Sequence, residues 1–222
     1  GLSQSKNVQA QFGILPGLST NGDSARTVTN NLSFNLFAGH QGGLQGFELA
    51  AIANILDYDA QGMQISGITN IVKGDVTALQ FTGITNIVGK DFQGIQAAGI
   101  TNIVNGEFQG MQVGGIFNMS KTMYGAQITG ISGKADSIYG LQVNGLGGYS
   151  KSITGLQVSG FINQSKSVKG AQIAGFVNVT EDLRGVQIGF INISENVKGG
   201  VPIGFISFSK NGYKTIDVST NE

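Results

Sequence analysis

Glutamine recurs along this chain at a fixed spacing, and nine copies form the most regular set of polar side chains. The spacing is 16 residues at first and 15 later. The set comprises Gln64, Gln80, Gln96, Gln112, Gln127, Gln142, Gln157, Gln172 and Gln187. Stacked side-chain amides form hydrogen-bonded ladders, and an exposed row offers a flat polar face to a sugar or a protein. We therefore treat these nine glutamines as a candidate surface ladder.

Carboxylates recur at the same interval. Asp75, Asp91 and Glu107 are 16 apart, so a stacked repeat would place them in one row on the order of 5 Å apart. Such rows bind Ca²⁺ in some solenoids, but the Gly- and Asp-rich nonapeptide signature is absent. Lys73 and Lys90 stand beside the acids. We interpret these carboxylates as solvated turn residues and expect neither a metal site nor a cofactor.

The chain offers little else that could carry catalysis. His40 is the only histidine and cysteine is absent, which argues against an ordinary zinc site and excludes disulfides. We expect no catalytic role, such as that in a Ser-His-Asp triad, for this single histidine. We interpret His40 as a turn residue of the first coil. No phosphate-binding loop motif occurs, and a net charge of zero argues against nucleic acid or anionic lipid as a partner. The sequence predicts no catalytic residues and no enzyme.

The glutamines must be positioned by β-strands. The residues directly before and after each glutamine are apolar, a period-2 alternation typical of a strand with one buried face. Two or three glycines per repeat disfavour helix. We assign the apolar residues to the core and expect the glutamines to face outward.

Each repeat reads G-Φ-Q-Φ-x-G-Φ-x-N, where Φ is apolar. The glycine after the glutamine predicts a bend with unusual dihedrals or a close backbone approach, and the apolar residue after it, such as Ile68, is assigned to the core. We expect the asparagines to form a structural corner column, in which they adopt turn dihedrals and bond the backbone or one another. Its members are Asn54, Asn70, Asn86, Asn102, Asn118, Asn163, Asn178 and Asn192. Gly133 and Gly148 replace Asn in two copies, which favours a conformational role.

Units too small to hold a core are stabilised by stacking. The sequence therefore predicts an all-β fold, a parallel β-solenoid of about eleven coils of 15–16 residues over 42–207. The longer coils should carry their extra residue in the turn after the asparagine. The alternative is a β-barrel of hairpins, including an outer-membrane barrel, but aromatic girdles are missing and glycine interrupts every strand.

Non-repeating segments are expected to cap both ends of one structural domain. We expect N-terminal cap strands within 1–41, at 8–15 and 27–37, separated by a polar turn near 19–26. Residues 208–222 should form a C-terminal hairpin cap, because Asn-Gly at 211–212 is a strong hairpin signal.

The tandem motif resembles that of a family of bacterial surface-repeat proteins, exported proteins of uncharacterised activity. The resemblance rests on FNLFAGHQGGLQGFELAAIANI, GLQVSGFIN, GAQIAGFVN, GVQIGFIN and VPIGFISFSKNGY, and covers about 34–213. It implies an exported protein of a Gram-negative bacterium, at the outer membrane, the cell surface or in the periplasm. It also implies one domain of a longer protein, and it supplies no enzymatic residues.

The sequence thus favours a non-enzymatic structural or adhesin-like binding module at the cell envelope. Its partner would be an envelope protein or a glycan, and its state a monomer or an end-to-end dimer. The sequence contains no apolar run of about 18 residues, so it predicts no transmembrane helix. One alternative is a polysaccharide-binding or polysaccharide-cleaving β-helix, which would need charged residues on a strand face. The other is an outer-membrane-associated β-barrel component.

Overall fold

The protein is a parallel β-solenoid. The structure, a computed structural model, describes residues 6–211 and 214–216, the last three by their backbone alone. Tertiary contacts divide the chain into two compact units, Gly1–Gly115 and Ile116–Glu222. Within each unit consecutive coils pair in parallel, residue for equivalent residue. The chain makes about twelve turns, so the predicted solenoid of about eleven coils is confirmed and antiparallel hairpins are not the repeating unit.

Each coil of unit 1 consists of a long strand, an apolar corner, a short strand and a polar turn. The long strands are β1 (Lys6–Leu15), β3 (Val28–Asn35), β5 (Gly43–Ala50), β7 (Ala60–Ser66), β9 (Val76–Thr82), β11 (Phe92–Ala98) and β13 (Glu107–Gly114). The short strands are β4 (Ala38–Gln41), β6 (Ala53–Leu56), β8 (Thr69–Val72), β10 (Thr85–Val88) and β12 (Thr101–Val104). β2 (Leu18–Ser19) and a 3-10 helix (Gly22–Thr27) lie near the N-terminus. Long strands stack on long strands and short on short.

Unit 2 begins with strands that run through the position of the polar turn. The strands are β14 (Phe117–Thr129), β15 (Ser132–Asn144), β16 (Gly147–Ser159), β17 (Ile162–Val168), β18 (Ala171–Ala174), β19 (Val177–Leu183), β20 (Val186–Ile188), β21 (Ile191–Val197), β22 (Val201–Ile203), β23 (Ile206–Ser209) and β24 (Lys214–Ile216). The 15-residue coils are one residue shorter between the asparagine and the next apolar residue. Because this residue is missing, the strand continues through the position of the turn. This agrees with the prediction that the extra residue of the longer coils lies in the turn after the asparagine.

The ends of the chain join the same pairing pattern. β1 pairs in parallel with β3, and β3 with β5, so coil-like stacking begins before residue 42. The 3-10 helix at Gly22–Thr27 overlaps the predicted polar turn. At the other end β23 and β24 form an antiparallel pair, as a C-terminal hairpin requires. Residues 1–5, 212–213 and 217–222 lie outside the described residues.

The interior holds apolar columns beside several polar ones. In unit 1 one apolar column, at the end of the short strands, is fully buried: Leu56, Val72, Val88 and Val104. The apolar residue that leads into each long strand is at most 2% exposed: Val76, Phe92, Phe108, Met123, Ile138, Ile153, Val168 and Leu183. The glutamines and asparagines are also interior. The assignment of the corner isoleucines to the core is wrong, because Ile68 and its equivalents are exposed. The core is therefore narrow, and about half of its columns are amides, hydroxyls or small residues.

Glycine meets two different demands in each coil. The glycine three residues after the glutamine allows close approach, since a Cβ on Gly83 would lie 2.2 Å from the Gly67 carbonyl oxygen. The predicted close approach of neighbouring backbones at this glycine is therefore confirmed. Unusual dihedrals occur instead at the glycine two residues before the glutamine, with φ of +133° at Gly94 and +132° at Gly110.

Replacing Gly110 by alanine is expected to lower the free energy of unfolding by about 1–3 kcal/mol, the usual cost of a side chain in a disfavoured backbone region. The new Cβ would also lie 1.9 Å from the Gly94 carbonyl oxygen. Urea denaturation followed by circular dichroism measures the change. The control is Gln109→Ala at the exposed neighbouring position, and equal losses in the two variants would contradict this role for Gly110.

Candidate functional site

The nine candidate glutamines lie inside the solenoid, so the predicted surface ladder is wrong in its location. Each of them is 0% exposed. The side-chain nitrogen of one glutamine donates to the side-chain oxygen of its equivalent one coil earlier. Nε2–Oε1 distances are 2.7–2.8 Å for Gln80, Gln96 and Gln112 and 2.7–2.9 Å for Gln142, Gln157, Gln172 and Gln187. The ladder exists, but it is a structural element of the core.

This ladder can be buried without a large loss of stability, because its side-chain amides are hydrogen-bonded to the equivalent residues of neighbouring coils. A buried amide is destabilising only when its donors and acceptors lack partners. Period-2 alternation places a glutamine and its neighbours on opposite faces without defining which face is inside. The apolar neighbours of the glutamines consequently point outward. Their predicted assignment to the core is wrong.

The asparagines form a second internal ladder and link the two strand stacks. Asn70 Nδ2 donates to Asn86 Oδ1 at 2.9 Å and to the carbonyl oxygen of Phe81 at 3.0 Å. Asn178 makes the equivalent bonds to Asn192 and Ile188 in unit 2. The predicted bonds to backbone and to the next asparagine are confirmed. The predicted turn dihedrals are wrong, because no described residue other than glycine has positive φ and the column lies within the short strands.

The two ladders run in opposite directions. Glutamine nitrogens donate toward the N-terminal neighbour, as from Gln96 to Gln80, whereas asparagine nitrogens donate toward the C-terminal one, as from Asn70 to Asn86. Aligned amide dipoles add along a ladder in the way that peptide dipoles add along a helix. The opposed directions let the two dipoles offset each other within each unit.

Glycines interrupt the asparagine column where another asparagine needs the space. A Cβ on Gly148 would lie 2.6 Å from the side-chain nitrogen of Asn144, and one on Gly133 would lie 2.3 Å from its oxygen. Gly39, opposite Asn54, makes room for Asn35 in the same way. The conformational explanation of Gly133 and Gly148 is therefore wrong: these glycines make room for the side-chain amide of Asn144.

Glu48 replaces glutamine in the ladder of unit 1 and is fully buried. It accepts a hydrogen bond of 2.8 Å from Gln64 Nε2 and one of 3.4 Å from Ser33 Oγ. Burial raises the pKa of the Glu48 carboxyl to about 8, against the smaller lowering effect of the bonds from Gln64 and Ser33. At neutral pH this carboxyl is mostly protonated and acts as a neutral member of the ladder.

The stacked carboxylates of unit 1 bond the backbone of the following coil. Asp75 Oδ1 accepts from the backbone nitrogen of Asp91 at 3.1 Å, and Asp91 Oδ1 accepts from that of Glu107 at 2.7 Å. Asp59 caps Asp75 in the same manner. Within residues 6–211 no group of three or more His, Asp or Glu side chains is arranged to hold a metal ion. These aspartates fix the turn geometry between coils.

A charged cluster surrounds Asp57. Its carboxylate accepts from Arg26 Nε at 2.9 Å, from His40 Nε2 at 3.1 Å and from Lys73 Nζ at 2.6 Å. His40 lies in β4, so its assignment to a turn is wrong, and it contacts Asp57 rather than a catalytic partner. Burial alone would raise the pKa of Asp57, but the bonds from Lys73, Arg26 and His40 hold this pKa well below its ordinary value.

Replacing Asp57 by asparagine is expected to lower the free energy of unfolding by about 1–3 kcal/mol at pH 7, because three cationic or polar donors lose a charged acceptor. A depressed pKa stabilises the fold above the unfolded-state value of about 3.9, and that contribution disappears as pH falls below it. The difference between the two proteins should therefore shrink below pH 4. Urea denaturation at pH 7 and pH 3 measures it. A difference that grows toward acid would contradict the cluster's role.

The exposed feature that repeats in every coil is an apolar corner. The corner residues are Ile52, Ile68, Ile84 and Ile100 in unit 1, and Ile116, Ile131, Leu146, Phe161, Phe176, Phe190 and Phe205 in unit 2, each 38–58% exposed. The last four phenylalanines stack with ring centroids 5.1–5.6 Å apart. We call this column, with the apolar residues beside each glutamine and after each asparagine, the apolar edge.

Charge lies mainly on the opposite side of each coil, although the exposed Lys134 pairs with Met119 and Tyr149 in the column after the asparagines. The segments 76–88, 92–104, 138–150 and 153–165, which contain the apolar edge, carry no charged residue. The charged residues come after the short-strand positions along the chain. There, residues of opposite charge form ion pairs between neighbouring coils: Lys151 with Asp136 at 3.0 Å, and Lys166 with Glu181 at 3.7 Å. We call this side the charged edge. The recurring uncharged segments are visible in the sequence and could have revealed the apolar edge.

A groove in unit 2 marks the border between the two edges. Its volume is about 460 Å³. One wall is apolar, formed by Tyr149, Val179, Ile193 and Phe208, and the other is charged, formed by Lys166, Glu181, Glu195 and Lys210. The charged wall holds two lysines and two glutamates, so the groove has no strong net charge.

None of the described residues belongs to a helix long and apolar enough to cross a membrane. Comparison with protein-family models, with curated proteins and with solved structures finds no match to this chain.

Proposed function

We propose that this protein is a non-enzymatic structural or binding module of a Gram-negative cell envelope, exported to the outer membrane, the cell surface or the periplasm. The observation that carries the proposal is the apolar edge, whose corner column from Ile52 to Phe205 contains no charged residue. A soluble monomer rarely exposes a contiguous apolar surface of this kind unless something binds there. The resemblance of the tandem motif to bacterial surface-repeat proteins supports the envelope location.

The hydrogen bonds of the candidate chemical groups support a non-enzymatic role. The nine glutamines are buried in their ladder, so they offer nothing to a ligand. Asp75 and Asp91 bind backbone amides of the next coil. Outward strand faces carry apolar side chains instead of the paired carboxylates that glycoside hydrolysis requires.

Fractionation of the source cells tests the proposal. We expect the chain in the envelope fraction, and protease treatment of intact cells to release its peptides if it lies at the cell surface. Release only after the outer membrane is breached would indicate the periplasm. Recovery in the cytoplasmic fraction alone would contradict an envelope module, and turnover of any member of a panel of acidic polysaccharides would contradict a non-enzymatic one.

A further inference from the structure

We propose that the apolar edge binds a lipid bilayer, with its corner residues inserted among the acyl chains and the charged edge in water. This inference rests on the proposed function and names the partner of its binding surface. The corner column is apolar at every position from Ile52 to Ile100 in unit 1 and from Ile116 to Phe205 in unit 2. Surfaces that lie in a membrane interface combine such an apolar side with a polar opposite side.

The backbone at the corner is already satisfied. Ile84 and Thr85 nitrogens both donate to the carbonyl oxygen of Ile68, at 3.2 and 2.9 Å. In unit 2, Phe176 and Val177 donate in the same way to Phe161, at 3.2 and 2.9 Å. A backbone group without a partner costs several kcal/mol in hydrocarbon, so irregular backbone is normally excluded from lipid. Hydrogen bonds between coils remove this obstacle along the corner.

The apolar surface is convex and continues onto both strand faces. Leu79 on the long-strand side of the corner is exposed, as are Ile193 and Phe208 on the short-strand side of unit 2. A second copy of this chain, or another rigid protein surface, would cover one flat face and leave the rest in water. A fluid acyl phase adapts to a convex edge and covers the corner and both flanks together, which favours lipid as the occupant.

The charges beside the apolar edge suit zwitterionic headgroups. The groove at the border presents Lys166 and Lys210 together with Glu181 and Glu195, and the whole chain has no net charge. Attraction to anionic lipid requires an excess of basic residues near the surface. We therefore expect binding to be driven by apolar burial, with little dependence on anionic lipid or on salt.

Flotation with phosphatidylcholine vesicles tests the inference. We expect the protein to float with the vesicles, and Phe161→Ser with Phe176→Ser to weaken partitioning at least about tenfold, since burial of these exposed aromatic side chains drives the binding. The matched control is Asp136→Ser with Lys151→Ser, an ion pair of the charged edge that lies outside the groove. It removes one charge of each sign and should leave partitioning unchanged. Equal losses in both variants would overturn the inference.

A fluorescent reporter provides a readout that does not depend on the double variant folding. The chain contains no tryptophan, so Phe176→Trp introduces a single indole at the apolar edge and Lys151→Trp a single one at the charged edge, outside the groove. Vesicles should shift the emission of the first to shorter wavelength, and nitroxide-labelled acyl chains should quench it, with neither effect at position 151.

Three outcomes would overturn the inference that burial of the apolar edge in a bilayer drives binding. The first is the absence of flotation by a protein that fractionates with the envelope, which would leave the proposed function intact and indicate a protein or glycan partner. The second is flotation that requires phosphatidylglycerol. The third is self-association, seen as a dimer by analytical ultracentrifugation with the tryptophan at position 176 already shielded before vesicles are added. Absence from the envelope would instead contradict the proposed function itself.

Discussion

Replacing Glu48 by glutamine will raise the free energy of unfolding at alkaline pH by up to about 5 kcal/mol, as its pKa rises from 4.5 to about 8. Glutamine is close to the acid in shape and continues the ladder, because its oxygen accepts from Gln64 and its nitrogen donates toward Ser33. It loses only the 3.4 Å bond that Glu48 accepts from Asn35 Nδ2, which also donates to Ser33. The variant replaces a carboxyl that must be buried in its neutral form by an amide that is always neutral.

The pH dependence has a definite sign. A carboxyl with a raised folded-state pKa holds its proton in the folded protein and releases it on unfolding between pH 4.5 and about 8. The parent therefore loses stability as pH rises through this window, whereas Glu48→Gln lacks that loss. The two proteins should be similarly stable below pH 4.5 and differ most above pH 8.

Urea denaturation at a series of pH values between 4 and 9 measures the difference. The control is Glu107→Gln, the same substitution at an exposed carboxyl of unit 1, for which we expect changes within about 0.5 kcal/mol. A Glu48→Gln variant that is less stable than the parent at pH 9 would show that the carboxylate is accommodated in ionised form, contrary to its position in the ladder.

Replacing Gln80 by leucine will lower the free energy of unfolding by about 2–6 kcal/mol. The change removes the donor to Gln64 Oε1 and the acceptor of Gln96 Nε2, which lie 2.7 and 2.8 Å from Gln80. Each buried group left without a partner costs about 1–3 kcal/mol. The gain in apolar burial is small, because the amide that leucine replaces is of similar size.

The matched control is Gln93→Leu, since Gln93 is exposed and precedes the buried Gln96 in the same strand. Urea denaturation at pH 7 should show a change within about 0.5 kcal/mol for this control. Similar small effects of the two substitutions would contradict a buried ladder and support an outward-facing glutamine column.

Much of the fold was predictable because a repeated sequence imposes a repeated local structure. The spacing of the glutamines predicted parallel, in-register coils, and the extra residue of the 16-residue coils lies in the turn after the asparagine, where it was predicted. Apolar positions such as Phe92 and Ile138 were correctly assigned to the core. The candidate site was not predicted, since the glutamines turned out to be buried and the apolar edge was taken for the core.

By itself, the sequence determined the repeat length, the strand periodicity and the side of each coil that carries charge. Only the tertiary structure decided which face of the strands is inside. A period of two is symmetrical between the faces, and the usual rule that apolar residues are buried fails when stacked amides satisfy one another between coils. The opposed ladders, the room that Gly133 and Gly148 leave for Asn144, and the exposure of the isoleucine and phenylalanine corner all follow from contacts between coils.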